Sequence, residues 1–403
     1  MITPGEAWAI ILKQVRPLKA VRVPLADALG YCLAEEVRAD RDLPPADRAS
    51  MDGYAVQHED LQETPCTLRV IGEVAAGSAS RRRVESGTCV RILTGANVPP
   101  GADAVVMVED TQENGGLVTI HSPASRGANI HPRGEDARKE TSLLPRGARI
   151  DAMRAGVCAA VGKASLKVHA RPEVAILCTG SELRAVAGRV RPHEIRNSNG
   201  PALSAALAQW GFGASGYRSV ADEPGVLVAA LSRALARHEV VLFTGGVSVG
   251  KYDYVREAVE AAGAKVQFHR LRMRPGRPTL YATAAHNRHV FGLPGNPLSS
   301  LTAFHEFVLP ALRRLAGCPA EECRTAWMLP LAESVEAEGG FVRCALARVV
   351  MGEHGLAAAP VPFRSSADLV SAGHADGVVL LPPERTRFAA GESVAFRPWR
   401  PLP

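Results

Sequence analysis

The sequence predicts a multidomain α/β protein. A doubly wound, mainly parallel sheet domain follows an inserted β domain and precedes a small C-terminal β unit. Three observations carry this reading. The chain has 403 residues, more than one ordinary core fills, and 46% of them are hydrophobic, ample for folded domains rather than disorder. From residue 171 onward, "EVAILCTG", "VVLFTGG" and "HVFGLPG" are short apolar runs that end in glycine turns, with helical segments between them. That alternation implies a mainly parallel, doubly wound sheet. On either side of this region the apolar residues fall into short runs closely punctuated by glycine and proline, a β pattern.

The elements follow in order. Residues 1–45 open with a helix: Thr3 can cap it, Pro4 suits its first turn and Glu6 completes a capping box. Trp8, Ile11, Leu12 and Val15 then share one face. The same stretch lacks the basic flank and cleavage site of a secretory leader. The next run, "RVPLADALGYCLAEEVRA", mixes helix and strand periods and specifies neither. Residues 46–140 read as the inserted β-rich domain, through "CTLRVIGEV", "TCVRILTGA", "AVVMVED" and "LVTIHS". Residues 141–168 return to the first region with a Pro-Arg-Gly turn and a short helix, so 1–45 and 141–168 form one discontinuous linking region. Residues 169–318 hold the α/β domain. Its helices are "NGPALSAALAQWG", with Asn199 as the expected cap and Gly211 as the stop, "EPGVLVAALSRALAR" and "DYVREAVEAAG". Residues 319–403 form the C-terminal unit, with strands over "RCALARVVM", "HGLAAAPV", "GVVLLP" and "ESVAFRP". No apolar run approaches the roughly 18 residues that a membrane span needs, so no membrane is expected.

Composition narrows the function classes. The 47 Lys and Arg against 41 Asp and Glu leave a formal charge of +6, which suggests an anionic ligand. Nucleic acid is disfavoured, because the one dense basic run, Arg81–Arg83, has no aromatics interleaved and reads as a solvated loop. The cysteines scatter without a C-x-x-C pair or zinc spacing, which fits reduced structural thiols in a cytoplasmic protein.

The turns carry the chemistry. Thr-Gly follows an apolar run three times, at Thr94, Thr179 and Thr244. In an open α/β sheet, ligands bind at the carboxyl ends of strands, where glycines let backbone N–H groups approach an anion. Gly245, Gly246, Ser248 and Gly250 of "TGGVSVG" supply such a cradle. A single glycine turn is only turn geometry; its company changes that. Glu182, Asp222 and Asp253 each lie just past a strand end. Three carboxylates beside an anion cradle repel the anion unless a cation intervenes. Hard oxygen ligands there suit Mg²⁺, which bridges carboxylate and phosphate. Taken alone, Asp253 is equally a helix cap. Further on, "RPGRP" holds Arg274 and Arg277 at a rigid Pro-Gly turn, and guanidinium forks match tetrahedral oxyanions. "GLPGNPLSS" is a second stiff turn, placing Pro294, Gly295, Asn296, Pro297 and Ser299 near a helix start. Read locally, Asp52 in "SMDGYAV" belongs to a turn and Asp136 in "HPRGEDAR" to a charged loop.

Taken together and in this order, "SMDGYAV", "TGANVPPGADAVVMVED", "NIHPRGEDAR", "TGSEL", "NSNGPAL", "FTGGVSVGKYDYV", "RPGRP" and "GLPGNPLS" resemble the molybdopterin molybdenumtransferases. These include bacterial molybdenum-cofactor synthesis enzymes and the related domain of gephyrin. The resemblance runs from about residue 5 to 385. It implies a homodimer whose α/β domain binds molybdopterin and whose small C-terminal domain is β-barrel-like. It implies that adenylylated molybdopterin is the substrate, that its phosphoanhydride is hydrolysed with release of AMP, and that molybdate is inserted at the dithiolene sulfurs. Mg²⁺ is the implied cofactor, and the molybdopterin-adenylylating enzyme an implied contact. By motif, Asp52, Thr94 and Asp136 match residues that complete the site across the dimer. Glu182, Asp222 and Asp253 match the family's acidic residues, and Pro294 and Pro297 its Leu-Pro-Gly-Asn-Pro turn. Arg274, Arg277, Ser299, Arg343 and Ser366 fall to molybdate.

The chain departs from the family at three places. Arg274-Pro-Gly-Arg277 stands where Lys-Pro-Gly-Lys is usual, Ser366-Ala where Ser-Gly is usual, and Thr-Gly-Ser-Glu where Thr-Gly-Asp-Glu is usual. These changes bear on affinity and on molybdate against tungstate more than on the reaction. Two other readings compete: adenylylation of molybdopterin by a related α/β domain, and a non-catalytic pterin-binding scaffold. The flanking β domains weigh against the first. Retention of Asp52, Glu182, Asp222 and Asp253 weighs against the second.

Overall fold

The computed structural model describes residues 1–78, 82–246, 254–352 and 355–401. It forms two compact units. One holds Met1–Glu35, Gly147–Asp151 and Ser165–Pro403; the other holds Glu36–Arg146 and Ala152–Ala164.

The first unit is organised by a six-stranded sheet. Its strand order is Ala214–Val220, Val174–Thr179, Val240–Thr244, Arg288–Leu293, Leu280–Ala284, Lys265–His269. The first four strands run parallel and the last two pair antiparallel, so the sheet is mainly parallel with an antiparallel edge. Alternate residues of each strand enter two different cores. Val174, Ile176, Cys178, Val240 and Leu242 pack with Leu203 and Leu207 of the Asn199–Gln209 helix. Ala175, Leu177, Val241 and Phe243 pack with Leu227 and Leu231 of Pro224–Leu235 and with Val255 and Val259 of Tyr254–Ala261. Burial on both faces is why these strands read as unbroken apolar runs. Fully burying a side chain such as Phe243 contributes about 1.5–3 kcal/mol.

The chain enters the sheet at Val174–Thr179, goes to one side for Ala214–Val220, then crosses to the other for Val240–Thr244. The switch in direction therefore falls between the carboxyl ends at Thr179 and Thr244. In open α/β sheets this is where ligands bind.

The N-terminal helix Pro4–Gln14 has the expected capping box, in which Thr3 and Glu6 satisfy each other's backbone N–H. It buries Ala7 and Ile11, with Val15 just beyond, against the core that also holds Phe304 and Leu312. The stretch after it, ambiguous in sequence, begins in the strand Ala20–Pro24, paired antiparallel with Ser165–His169, passes through the short turn Leu25–Asp27, and ends in the strand Val37–Arg38, paired with Ser142–Leu144. One expectation is corrected. Ser198, not Asn199, occupies the cap position of the Asn199–Gln209 helix, and the Asn197 side chain accepts from Gly200 N. Asn199 is freed for another contact, described below.

In the C-terminal part of this unit, strands Val342–Gly352, Gly377–Leu381, Ser393–Pro398 and Trp327–Pro330 pair in sequence. Gly355–Pro360 joins the outer edge of Val342–Gly352, and a Leu331–Ala358 bridge links it back toward Trp327–Pro330. The sheet thus closes on itself, which removes its open edges. Glu306 lies fully buried and accepts from Arg397 Nε at 2.9 Å and Arg324 Nη2 at 2.8 Å, a charge triad between the helical segment and the barrel.

The second unit is β-rich. Its six-stranded sheet runs Ala104–Met107, Gly53–Val56, Thr88–Ile92, Cys66–Val74, Leu117–Ile120, Thr111–Asn114. The two edge strands are joined by the short turn Val108–Asp110, so the sheet curls back on its start. The helix expected after the Pro-Arg-Gly turn is Ala152–Ala160. Of the basic run, Arg81 lies outside the described residues, and Arg82 donates to the Ile71 carbonyl. No helix among the described residues is long and apolar enough to cross a membrane.

Candidate active site

The turns after the sheet strands open into a cleft of ≈ 860 Å³ within the first unit. At one part of it, the Val240–Thr244 strand ends in Gly245 and Gly246. Gly245 has φ 90°, and a Cβ there would lie 2.3 Å from the Thr179 carbonyl oxygen. Only glycine lets the two strand ends approach this closely. The hydroxyls of Thr179 and Thr244 and the Oδ1 of Asp222 are buried and have no hydrogen-bond partner among the described residues. Two of these atoms meet at Gly246, where a Cβ would lie 3.1 Å from Thr179 Oγ1 and 3.6 Å from Asp222 Oδ1. Burial, and then the charge of Glu182, push the Asp222 carboxyl above its ordinary range. Glu182 sits over the Gly180 backbone, its Oε1 2.7 Å from where a Cβ would be. The orphaned Asp222 oxygen and its carboxylate neighbour fit a divalent cation, which would relieve both the burial and the repulsion. Among the described residues no set of three His, Cys, Asp or Glu side chains is placed to hold a metal. Asp253, Ser248 and Gly250 lie outside the described residues.

Another part of the cleft is basic. Arg274, Arg277, Arg343 and Arg364 all line it. The short strand Met273–Arg274 leaves the α/β domain to pair in parallel with the barrel strand, putting Arg274 in register with Arg343. The Pro-Gly turn that follows is held by Thr279 Oγ1 donating to the Gly276 carbonyl at 2.7 Å and Leu271 N donating to that of Arg277 at 2.8 Å. Phe341 lies under Arg274 and Arg277, at 4.4 and 5.9 Å, and Phe363 under Arg343 at 4.8 Å. Arg274 also pairs with the exposed Glu338 at 2.5 Å. Like charges on neighbouring strands repel, and Glu338 offsets the charge of Arg274.

A third group bridges the two. The turn Pro294-Gly295-Asn296-Pro297 leads into the Pro297–Ala303 helix. Asn296 Nδ2 donates to Ser366 Oγ at 2.7 Å, and Ser299 N to the Ser366 carbonyl at 3.4 Å. Asn199 Nδ2 donates to the Gly295 carbonyl at 2.7 Å, fixing the turn from the side of the sheet. Thus Glu182, Asp222, Gly245, Gly246, Pro294, Gly295, Asn296, Pro297, Arg274, Arg277, Ser299, Arg343 and Ser366 line one cleft. Sequence reasoning missed Arg364, Arg196, Asn197 and the positioning contact of Asn199, which also belong to it. The "NSN" run was readable as a cap but not as a bridge, and Arg364 lies two residues before Ser366.

Asp52, Thr94 and Asp136 belong to the second unit. Asp52 Oδ1 accepts from both Thr94 N and Thr94 Oγ1 at 2.6 Å. Those hydrogen bonds hold the Asp52 carboxyl below its ordinary range. Asp136 lies 3.3 Å from His131 Nε2, which also meets Glu135 at 3.3 Å.

Known proteins match this chain throughout. The MoeA N-terminal region (domains I and II) matches residues 2–162, a probable molybdopterin binding domain matches 175–314, and the MoeA C-terminal region (domain IV) matches 328–399. A molybdopterin molybdenumtransferase of Staphylococcus epidermidis is 34% identical over 398 residues, covering 98% of this chain and 94% of its own. One from Staphylococcus aureus is 35% identical over 393 residues, covering 96% and 93%. Two crystal structures of a molybdopterin biosynthesis MoeA protein from Pyrococcus horikoshii superpose on it. One has a TM-score of 0.81 at 29% identity over 100% of both chains. The other has 0.84 at 26% identity, covering 98% of this chain and 99% of that one.

Proposed function

The chain belongs to the molybdopterin molybdenumtransferase family, and from that premise we propose that it transfers molybdenum to adenylylated molybdopterin, with release of AMP, in the biosynthesis of the molybdenum cofactor. The observation that carries the reading is Arg274 in register with Arg343, in one cleft with Glu182 and Asp222. Convergent guanidinium groups on rigid turns suit a tetrahedral dianion, and molybdate is one. Asn296, Ser299 and Ser366 add neutral donors to orient its remaining oxygens. We assign the pyrophosphate of the substrate to the Gly245-Gly246 turn, continued in sequence by Ser248 and Gly250, and to the Pro294–Pro297 turn.

Glu182, Asp222 and Asp253 are assigned to Mg²⁺. Bound there, the cation supplies electrostatic stabilisation of charge on the phosphates. The arginines hold the anion in place, and the stiff Pro-Gly turn fixes their position. Asp52, Thr94 and Asp136 are assigned to the same reaction through a homodimer. A cytoplasmic location and contact with the adenylylating enzyme belong to this reading. Matches over the N-terminal and C-terminal regions favour it over adenylylation by a lone α/β domain.

The test supplies purified protein with adenylylated molybdopterin, Mg²⁺ and molybdate, and follows AMP and molybdenum-loaded cofactor together, with Asp52→Ala alongside. Coupled appearance of both products, lost in the variant, is expected. Tight pterin binding without AMP contradicts the reading and favours the scaffold.

A further inference from the structure

A cluster of three thiols lies in the first unit, formed by Cys32, Cys318 and Cys323 with Trp8 packed against it. None of them lines the cleft described above. Cys32 and Cys318 lie 286 residues apart in sequence, yet their sulfurs are 2.8 Å apart. A disulfide bond is about 2.05 Å long, so the two sulfurs need close by only roughly 0.8 Å. We propose that Cys32 and Cys318 are a redox pair that closes to a disulfide when the protein meets a hydroperoxide.

The surroundings select this pair over the third thiol. The Cys323 Sγ–H is engaged by the Pro319 carbonyl at 3.1 Å, whereas the Cys32 and Cys318 sulfurs face each other. The backbones are fixed in place. Cys32 bridges Arg149 and its carbonyl accepts from His169 N at 3.0 Å; Cys318 N donates to the Arg313 carbonyl at 3.0 Å, and its carbonyl accepts from Arg314 Nη1 at 3.1 Å. Cys318 has the character of the attacking group. The hydrogen bond it shares with Cys32 lowers its pKa, against the effect of burial, and the cationic Arg149 and Arg313 act in the same direction as that bond. Both thiols are buried, with Cys318 at 7% exposure the nearer to solvent and Cys32 at 1% the more shielded.

The chemistry balances in two steps. The Cys318 thiolate attacks one peroxide oxygen, the O–O bond breaks, and a sulfenic acid and hydroxide form. The Cys32 sulfur then attacks the Cys318 sulfur, the S–O bond breaks, and the oxygen leaves as water with the Cys32 proton. Two electrons pass from the thiols to the peroxide. The product ties the N-terminal segment to the end of the α/β domain, where the chain turns toward the barrel.

The experiment uses the full chain, reduced and then treated with hydrogen peroxide. It is denatured in N-ethylmaleimide without reductant and mapped by mass spectrometry. One cross-linked peptide containing Cys32 and Cys318, lighter by two hydrogens, is expected, with both residues losing their label together. The fully buried Cys344 keeps its label. Cys323→Ser retains the cross-link. Cys32→Ser abolishes it, and Cys318 proceeds to sulfinic acid. Full labelling of Cys32 and Cys318 after peroxide, or a Cys318–Cys323 link instead, overturns the proposal.

Discussion

The Thr-Gly turn occurs in both compact units, and the two units treat it differently. In the β-rich unit, Thr94 is closed: its N–H and hydroxyl both donate to Asp52. In the α/β unit, the hydroxyls of Thr179 and Thr244 are buried without a partner among the described residues, as is Asp222 Oδ1. Leaving a buried polar group unsatisfied costs about 1–3 kcal/mol. A fold that leaves three such atoms in the lining of one cleft, two of them beside Gly246, holds them ready for a ligand. The same dipeptide is thus bonded within its own unit in one case, on an exposed turn, and left open in a cleft in the other.

Removing a buried, closed group and removing an open group of the cleft have different signatures. The largest stability effect is expected at Glu306, which is buried and fully closed. Glu306→Ala leaves Arg397 and Arg324 uncompensated and costs about 3–5 kcal/mol, read from urea denaturation. Asp222→Ala removes an open group. Its expected effect is on turnover, a loss of about 10²–10³-fold in AMP release without loss of folding. Arg274→Ala acts on the anion alone. It raises the molybdate concentration for half-maximal rate by about 10–100-fold while pterin binding persists. An unchanged molybdate response would remove Arg274 from the site.

Smaller effects sharpen the contrast. Because burial and Glu182 raise the Asp222 carboxyl, the folded protein holds that proton more tightly than the unfolded chain. Its contribution favours folding below the unfolded carboxylate range, about pH 4, and is lost as pH rises through the raised folded value. In the metal-free protein at neutral pH, Asp222→Asn is therefore expected to raise Tm, with the gap closing toward acid. Mg²⁺ should raise the Tm of the parent chain more than that of the variant. The smallest change is expected from Thr244→Val, which removes an unsatisfied hydroxyl and leaves Tm unchanged or slightly higher. Thr94→Val, at the closed turn, lowers it. Equal losses at the two threonines would erase the distinction between the units.

Much of this was legible in the sequence. The alternation of apolar runs and helices predicted the sheet, and both-face burial explains why it was so clear. Arg274, Arg277 and the Pro294–Pro297 turn were legible because proline and glycine announce stiff local geometry. Less was legible where meaning comes from distant chain. The segment after the first helix resolves only through its pairing with Ser165–His169 and Ser142–Leu144. Asn199 reads as a cap until Gly295, far along the chain, claims its side chain. The pairing of Arg274 with Arg343 depends on a strand that joins two domains, which no local pattern encodes. Nor does any spacing reveal that Cys32 meets Cys318.

The most direct test of the central claim is single-turnover AMP release from adenylylated molybdopterin and Mg²⁺, measured with and without molybdate for the parent chain and Asp222→Asn. The open site described here predicts AMP release that depends on molybdate, matches the molybdenum inserted, and falls away in the variant. Release indifferent to molybdate, or undiminished in Asp222→Asn, would contradict it.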